Sequence, residues 1–281
     1  MLAAFLIMLR EGIEAALIIG IMAGYTVRRG NAKALPAIWA GVLAAVAASV
    51  AGAIVLYRTG QELPEVAHEL FEAAVALIAV VLLLSMALWM RRAGRGLRHE
   101  IEHSLDSGLD GSAGRWSWAL FLAAFLIVGR EGLESALFLV AITQQATGSG
   151  MLTGALLGVA VSVLVGFAIF QLGLKINLGR FFRVTGAFVI LVAAGLAAKA
   201  LHHLHEAGLW NSLQGTAFDL SGVLPNDSIL GSVLAGLFGF NPTPSWGEVI
   251  VYLAVLIGSS YLFFRPLPKP APAARRTAPT V

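Results

Sequence analysis

The sequence predicts an all-α polytopic membrane protein with seven transmembrane helices. Hydrophobic residues make up 58% of the 281 positions and charged residues only 12%, and the mean hydropathy is +0.83. These values lie far outside the range of soluble globular domains. The apolar residues fall in seven runs, and each run is long enough to cross ~30 Å of hydrocarbon as a helix rising about 1.5 Å per residue.

The seven predicted spans follow one another through most of the chain. They lie near residues 2–22, 35–57, 67–90, 116–142, 151–172, 184–205 and 247–265. The first run has no basic segment before it and is interrupted by charged residues. We therefore expect it to be retained as a span and not cleaved as a signal peptide.

Three further segments are not expected to cross the membrane. Residues 91–115 form a charged connector, which we predict to be cytoplasmic and amphipathic. Residues 207–246 form a long outer loop whose apolar stretch at 228–240 is too short to span, so a re-entrant or interfacial segment is expected there. Residues 266–281 are rich in Pro and Ala and are predicted to be disordered.

The distribution of basic residues predicts the orientation of the chain. The loops after the odd-numbered spans and the C-terminal tail hold 15 Lys and Arg residues, whereas the loops on the other side hold only Arg58. The positive-inside rule then places the N-terminus outside and the C-terminus in the cytoplasm. Because the basic residues mark topology, the net charge of +3 does not indicate nucleic-acid binding.

One motif occurs twice in the chain. Residues 3–17 and 123–137 share 11 of 15 positions, and the predicted orientation makes the two copies antiparallel. We therefore expect an inverted repeat, in which the three spans of residues 1–90 correspond to the three of residues 116–206, with the seventh span added. Transporters built from such repeats bind their substrates near the membrane midplane, at the interface between the repeats.

Each copy of the motif places one Arg and two Glu in the middle of an apolar helix. Three such charges cost roughly 8 to 10 kcal/mol of insertion free energy, so these helices need partners or a polar cavity. Together the copies hold four carboxylates and two guanidiniums, and the chain has no Cys. Hard cations prefer such an oxygen-only set. We predict metal ligation by Glu11, Glu14, Glu131 and Glu134, with Arg10 and Arg130 as charge partners.

A structural role for the same charges remains open, since Arg–Glu pairs can simply lock two helices together. The excess of two carboxylates, which such pairing leaves unexplained, favours a cation site. Gly12 and Gly132 lie within the motifs, and we expect them to permit close packing of another helix.

A second group of polar residues falls at the predicted outer ends of spans 3 and 6. It contains Glu69, Glu72, His205 and Glu206. These side chains are predicted to form an outer funnel that concentrates cations. The alternative is a set of solvated helix ends that interact favourably with the helix dipoles.

The connector contains His99 and His103 in the pattern H-E-x-x-H, which is typical of zinc proteases. The segment is short and has no catalytic domain around it, so an intramembrane metalloprotease is a remote alternative. Metal capture at the cytoplasmic side and a solvated helix face are the other interpretations. We find no P-loop or dinucleotide-binding fingerprint in the sequence.

The paired segments Arg10-Glu11-Gly12-Ile13-Glu14 and Arg130-Glu131-Gly132-Leu133-Glu134 resemble the R-E-x-x-E motifs of the oxidase-dependent iron permeases, of the fungal Ftr and bacterial EfeU types. The resemblance covers nearly the whole chain. It includes Glu69-Leu70-Phe71-Glu72 and the segment from His205 to Asn211.

The resemblance implies a multi-pass iron permease of the bacterial cytoplasmic (inner) membrane, with the motif glutamates as iron ligands and no permanently bound cofactor. It also implies work with a periplasmic cupredoxin-like protein and a haem peroxidase, as in EfeUOB-type systems, which would supply ferric iron from a ferrous pool. Because the oxygen-only ligand set fits other hard cations, a proton-coupled carrier of manganese or magnesium is the alternative.

Overall fold

The computed structural model describes residues 1–93, 113–143, 150–171, 178–225 and 228–265. Within these ranges the chain folds as eight α-helices, with a short 3₁₀ turn at Ala32–Ala34. The helices are α1 (Leu2–Arg28), α2 (Leu35–Gln61), α3 (Glu65–Ala93), α4 (Ala113–Thr143), α5 (Gly150–Gln171), α6 (Leu178–Glu206), α7 (Ile229–Phe238) and α8 (Trp246–Phe264).

Seven of these helices coincide, to within several residues, with the predicted apolar runs. By length and composition, α2, α3, α5, α6 and α8 could cross a membrane. The motif helices α1 and α4, with 27 and 31 residues, are also long enough, but each carries three charged residues near its middle. The protein is therefore a polytopic helical membrane protein, whereas the count of seven spans and the orientation stay predictions.

Two predicted segments fall mainly or wholly outside the described residues. The middle of the charged connector, including His99 and His103, lies in the undescribed range 94–112. The tail 266–281 also lies outside.

The helices of one half pack mainly on helices of the other half. Helix α1 packs chiefly on α5, α2 on α4, and α3 on α6. Similar close approaches occur at both of the first two interfaces: the backbone of Gly154 lies against the carbonyl of Met1, and that of Gly41 lies against the carbonyl of Phe121. Exchanging α1 with α4, α2 with α5 and α3 with α6 leaves this pattern unchanged, as a two-fold repeat of either orientation requires. The inverted orientation stays a prediction.

The segment between α6 and α8 contains the short helix α7. Ser228 caps its N-terminus by accepting a hydrogen bond from the Gly231 amide, as the preference for Ser at this position predicts. Gly239 ends the helix with φ +63°, a conformation that glycine adopts without steric cost. The C-terminal end of α7 lies against Gly195, about sixteen Å from the C-terminal end of α6 at 1.5 Å per residue. Helix α7 therefore packs well below that end of α6.

Helix α8 begins beside this segment. Ser245 caps it by accepting a hydrogen bond from the Glu248 amide at 3.2 Å, and Glu248 is buried. The Glu248 carboxylate also accepts hydrogen bonds from Asn241 at 3.0 Å and from the Ser245 hydroxyl at 3.1 Å. These contacts fix the start of the last helix against the loop that precedes it.

Candidate metal site

Helix α1 buries its three charged motif residues on one face. Arg10 is completely buried, and Glu11 and Glu14 are nearly so. The Arg10 guanidinium lies 3.7 Å from Glu11 Oε1 and 3.4 Å from Glu14 Oε1, the latter across one helical turn. The motif of α1 is thus a buried ion-pair cluster, not a set of side chains that extend to water.

Helix α4 repeats this arrangement with one difference in burial. Arg130 Nη2 donates a hydrogen bond of 2.8 Å to Glu131 Oε1, and Arg130 Nε lies 3.5 Å from Glu134 Oε1. The side chain of Arg130 is 59% exposed, whereas that of Arg10 is 0% exposed. The two copies therefore share their internal pairing, but only the first arginine is enclosed by other helices.

The two motifs meet inside the helix bundle. Carboxylate oxygens of Glu11, Glu14 and Glu131 lie within 4.8 Å of one another, so each can offer one ligand to a single ion. Glu134 lies outside this triplet and is paired with Arg130. The structure thus brings together three of the four predicted ligands, from two different helices.

Several of these carboxylate oxygens lack hydrogen-bond donors within the described part of the chain. They are both oxygens of Glu11, Oε1 of Glu14 and Oε2 of Glu131, and all are buried. Of these, Oε1 of Glu11 and Oε1 of Glu14 have only the ion-pair contacts with Arg10, at 3.7 and 3.4 Å. Buried acceptors are nearly always satisfied in native structures, because leaving them unpaired costs about 1 to 3 kcal/mol each. A bound cation would satisfy this cluster, which is consistent with a metal site.

The glycines of the motifs are in tight contact with serines of the neighbouring helices. A Cβ at Gly12 would overlap the side chain of Ser162 on α5, and a Cβ at Gly132 would overlap that of Ser49 on α2. Both serines are buried, and each donates its hydroxyl hydrogen to a carbonyl of its own helix. These contacts place the motif helices, and hence the glutamates, at a short distance from their neighbours.

A second cluster forms where the start of α3 meets the end of α6. His203 Nδ1 lies 2.6 Å from Glu69 Oε2, and His203 Nε2 lies 3.2 Å from Glu72 Oε2. Ligand atoms of Glu69, His203 and Glu206 all lie within 4.8 Å of one another. Glu69, Glu72 and Glu206, which the sequence assigns to the outer funnel, are therefore neighbours in the structure.

His205 does not belong to the carboxylate group that the described residues form at this end. Its ring lies near Gly247, and its Nε2 atom is buried. His203, which is not among the residues predicted for the funnel, occupies the central position instead. The spacing Leu196–Ala200–His203 is the signal that identifies it, because intervals of four and three place His203 on the buried face of α6.

Known proteins share this sequence over nearly its whole length. A family model described as the iron permease FTR1 family matches residues 1–266. The chain belongs to this family. The ferrous iron permease EfeU of Yersinia pestis is 44% identical over 266 residues, 95% of this chain and 94% of the relative. The proteins of the same name from Shigella sonnei (strain Ss046) and Escherichia coli O157:H7 are 43% identical over 278 residues, 99% of this chain and 100% of each relative. No solved structure matches the chain.

Membership of the FTR1 family confirms the resemblance seen in the two motifs. It also confirms that the chain is a transporter and not an enzyme. In this FTR1-family member, Glu11, Glu14 and Glu131 converge inside the helix bundle, where their oxygens could bind a cation. The cluster at the ends of α3 and α6 offers imidazole nitrogen as well.

Proposed function

We propose that this chain is an iron permease in which ferric iron crosses the membrane through a carboxylate cage at the interface of α1 and α4. The observation that carries the proposal is the convergence of Glu11, Glu14 and Glu131 from two helices within 4.8 Å. Ferric iron is a hard cation, and an all-oxygen ligand set suits it. Glu134, which lies on the same helix as Glu131 and is paired with Arg130, would complete the cage when the ion arrives.

The arginines stabilise the cage between transport events. Four carboxylates in a bilayer would repel one another strongly, and the pairing of Arg10 with Glu11 and Glu14 offsets part of that repulsion. An arriving ion competes with these pairs for the carboxylates. Any carboxylate that is protonated in the metal-free state must release its proton when it ligates the ion.

Rocking of the two repeats against each other would expose the cage first to one side of the membrane and then to the other. Glu69, Glu72 and Glu206 would attract iron at the outer surface before it reaches the cage. We further propose that the protein works in the cytoplasmic membrane with a periplasmic cupredoxin-like protein and a haem peroxidase. These partners would deliver ferric iron derived from a ferrous pool.

Radio-iron uptake tests the cage. Cells lacking other iron transporters would carry the wild-type chain, the Glu14→Gln/Glu134→Gln pair, or Glu62→Gln, which changes an exposed Glu at the end of α2. We expect the pair to reduce uptake to the level of cells without the permease, at unchanged membrane abundance, and Glu62→Gln to leave it unchanged. Normal uptake by the double variant would refute the cage.

Competition identifies the cargo in the same assay. If the cage is selective for iron, a large excess of Mn²⁺ or Mg²⁺ leaves uptake intact. Strong inhibition by either ion, with uptake still dependent on Glu14 and Glu134, would instead indicate a carrier of hard divalent cations.

A further inference from the structure

The cluster at the junction of α3 and α6 is built around a buried histidine. The side chain of His203 is only 5% exposed, although the residue is less than one turn from the end of its helix. Its two ring nitrogens face Glu69 and Glu72, at 2.6 and 3.2 Å, and its Nε2 atom has no hydrogen bond within the described residues. A solvated helix end does not enclose a histidine in this way.

The carboxylates around His203 are held by neighbouring groups. His68 donates its Nδ1 hydrogen to the carbonyl of Gly60 at 2.7 Å, and its Nε2 lies 3.3 Å from Glu72. On the other side, His202 lies 3.3 Å from Glu206 and 3.2 Å from Glu248. Partners of this kind orient the ligands of metal sites and raise their affinity.

We propose that Glu69, His203 and Glu206 form a second metal site, which binds a transition-metal ion, iron in the proposed function, at the predicted outer end of α3 and α6. The inference deepens the outer funnel of the proposed function, because it turns an attractive surface into a discrete binding site. One imidazole nitrogen and carboxylate oxygens from two helices are the ligands. Their atoms already lie within 4.8 Å of one another.

The nitrogen ligand gives this site a different selectivity from the inner cage. Imidazole suits iron, cobalt and zinc, whereas Mg²⁺ and Ca²⁺ prefer oxygen ligands. Mg²⁺ and Ca²⁺ would be attracted by the surrounding carboxylates but would gain little binding free energy from His203. His203 is thus the residue that distinguishes a transition ion from the more abundant alkaline-earth ions.

Direct binding of Co²⁺ to the purified full-length chain tests the site, because its visible absorption reports ligand type. The Glu14→Gln/Glu134→Gln variant serves as the background, which removes two carboxylates of the inner cage. We expect one equivalent of Co²⁺ to bind to this background variant at the site of Glu69, His203 and Glu206, with an absorption spectrum typical of mixed nitrogen and oxygen ligands. Excess Mg²⁺ should not displace it.

Adding His203→Gln to this background should weaken Co²⁺ binding at least about tenfold and remove the nitrogen contribution to the spectrum. The matched control is His205→Gln, two residues further along α6 and outside the cluster, which should leave binding unchanged. Glu206→Gln provides a second test variant, because its 49% exposed side chain can be changed without leaving a buried group unpaired. It should weaken Co²⁺ binding as well.

Equal Co²⁺ affinity with and without His203→Gln, or no Co²⁺ binding in the background variant, would overturn the proposal. In either case the cluster is only a network of ion pairs. These results are distinguishable from failure of the cage, which is judged by iron uptake in the Glu14→Gln/Glu134→Gln variant with His203 intact.

Discussion

Two ion pairs of nearly equal length differ chiefly in their burial. Arg10 Nε lies 3.4 Å from Glu14 Oε1, and Arg130 Nε lies 3.5 Å from Glu134 Oε1, but Arg10 is 0% exposed and Arg130 is 59% exposed. Coulomb's law with an effective dielectric constant near 20 gives about 5 kcal/mol for either distance. A charged residue in the middle of a span needs polar surroundings, so we infer that the exposed face of Arg130 lines a water-filled cavity of the bundle. Hydration there should reduce the energy of its ion pair to about 1 kcal/mol or less. We therefore predict a coupling energy of about 3 to 5 kcal/mol for the Arg10–Glu14 pair and a much smaller one for the Arg130–Glu134 pair.

Double-mutant cycles measure these couplings. Each cycle needs the Arg→Gln variant, the Glu→Gln variant and their combination, with the unfolding free energy of each protein determined in the same detergent. In the first cycle, Arg10→Gln alone should be strongly destabilising, because it leaves buried carboxylates unpaired. Adding Glu14→Gln should recover much of that loss. Coupling energies that agree within about 0.5 kcal/mol between the two cycles would refute the argument from burial.

Two further predictions concern close contacts made by glycines. In thermal unfolding, Gly12→Ala should destabilise the protein by about 1 to 3 kcal/mol, because its Cβ would overlap the side chain of Ser162. Adding Ser162→Gly should relieve this destabilisation. The control variant Gly24→Ala should be neutral or stabilising, because Gly24 has open space around it. If Gly12→Ala and Gly24→Ala have the same unfolding temperature, the argument that Gly12 is closely packed against Ser162 is wrong. Gly195→Ala should displace α7, since its Cβ would lie 2.5 Å from the Phe238 carbonyl, and limited proteolysis should then cut the segment 207–246 faster than in Gly258→Ala. Unchanged cleavage would contradict the packing of α7 on α6.

The positions of the long helices could be predicted from the sequence because hydrocarbon thickness sets the length of an apolar run. Their ends could not. Helix α6 begins at Leu178, six residues before the predicted start at 184, and the added residues include Arg180 and Arg183. A hydropathy pattern detects the part of a helix that lies in hydrocarbon, whereas backbone hydrogen bonding continues into polar surroundings.

The pairing of Arg and Glu within each motif also follows from the sequence, since residues four apart on a helix are neighbours. The different burial of Arg10 and Arg130 could not be predicted from the sequence, because the residues around the two arginines are nearly identical. It depends on which other helices cover each arginine. The structure places His203 and not His205 in the cluster with Glu69 and Glu206. Both are histidines near one helix end, and only the periodicity of the buried face distinguishes them in the sequence.

The exchange of packing partners between the halves has a consequence for biosynthesis. Helix α1 leaves the ribosome about 120 residues before α4, which supplies Glu131, and also well before α5, its main packing partner. At 5 to 20 residues per second, that interval is roughly 6 to 24 s. During this time a helix with three charged residues has neither neighbour available. We infer that the first half is held at the insertion machinery, or by lipid headgroups at its ends, until the second half has been made.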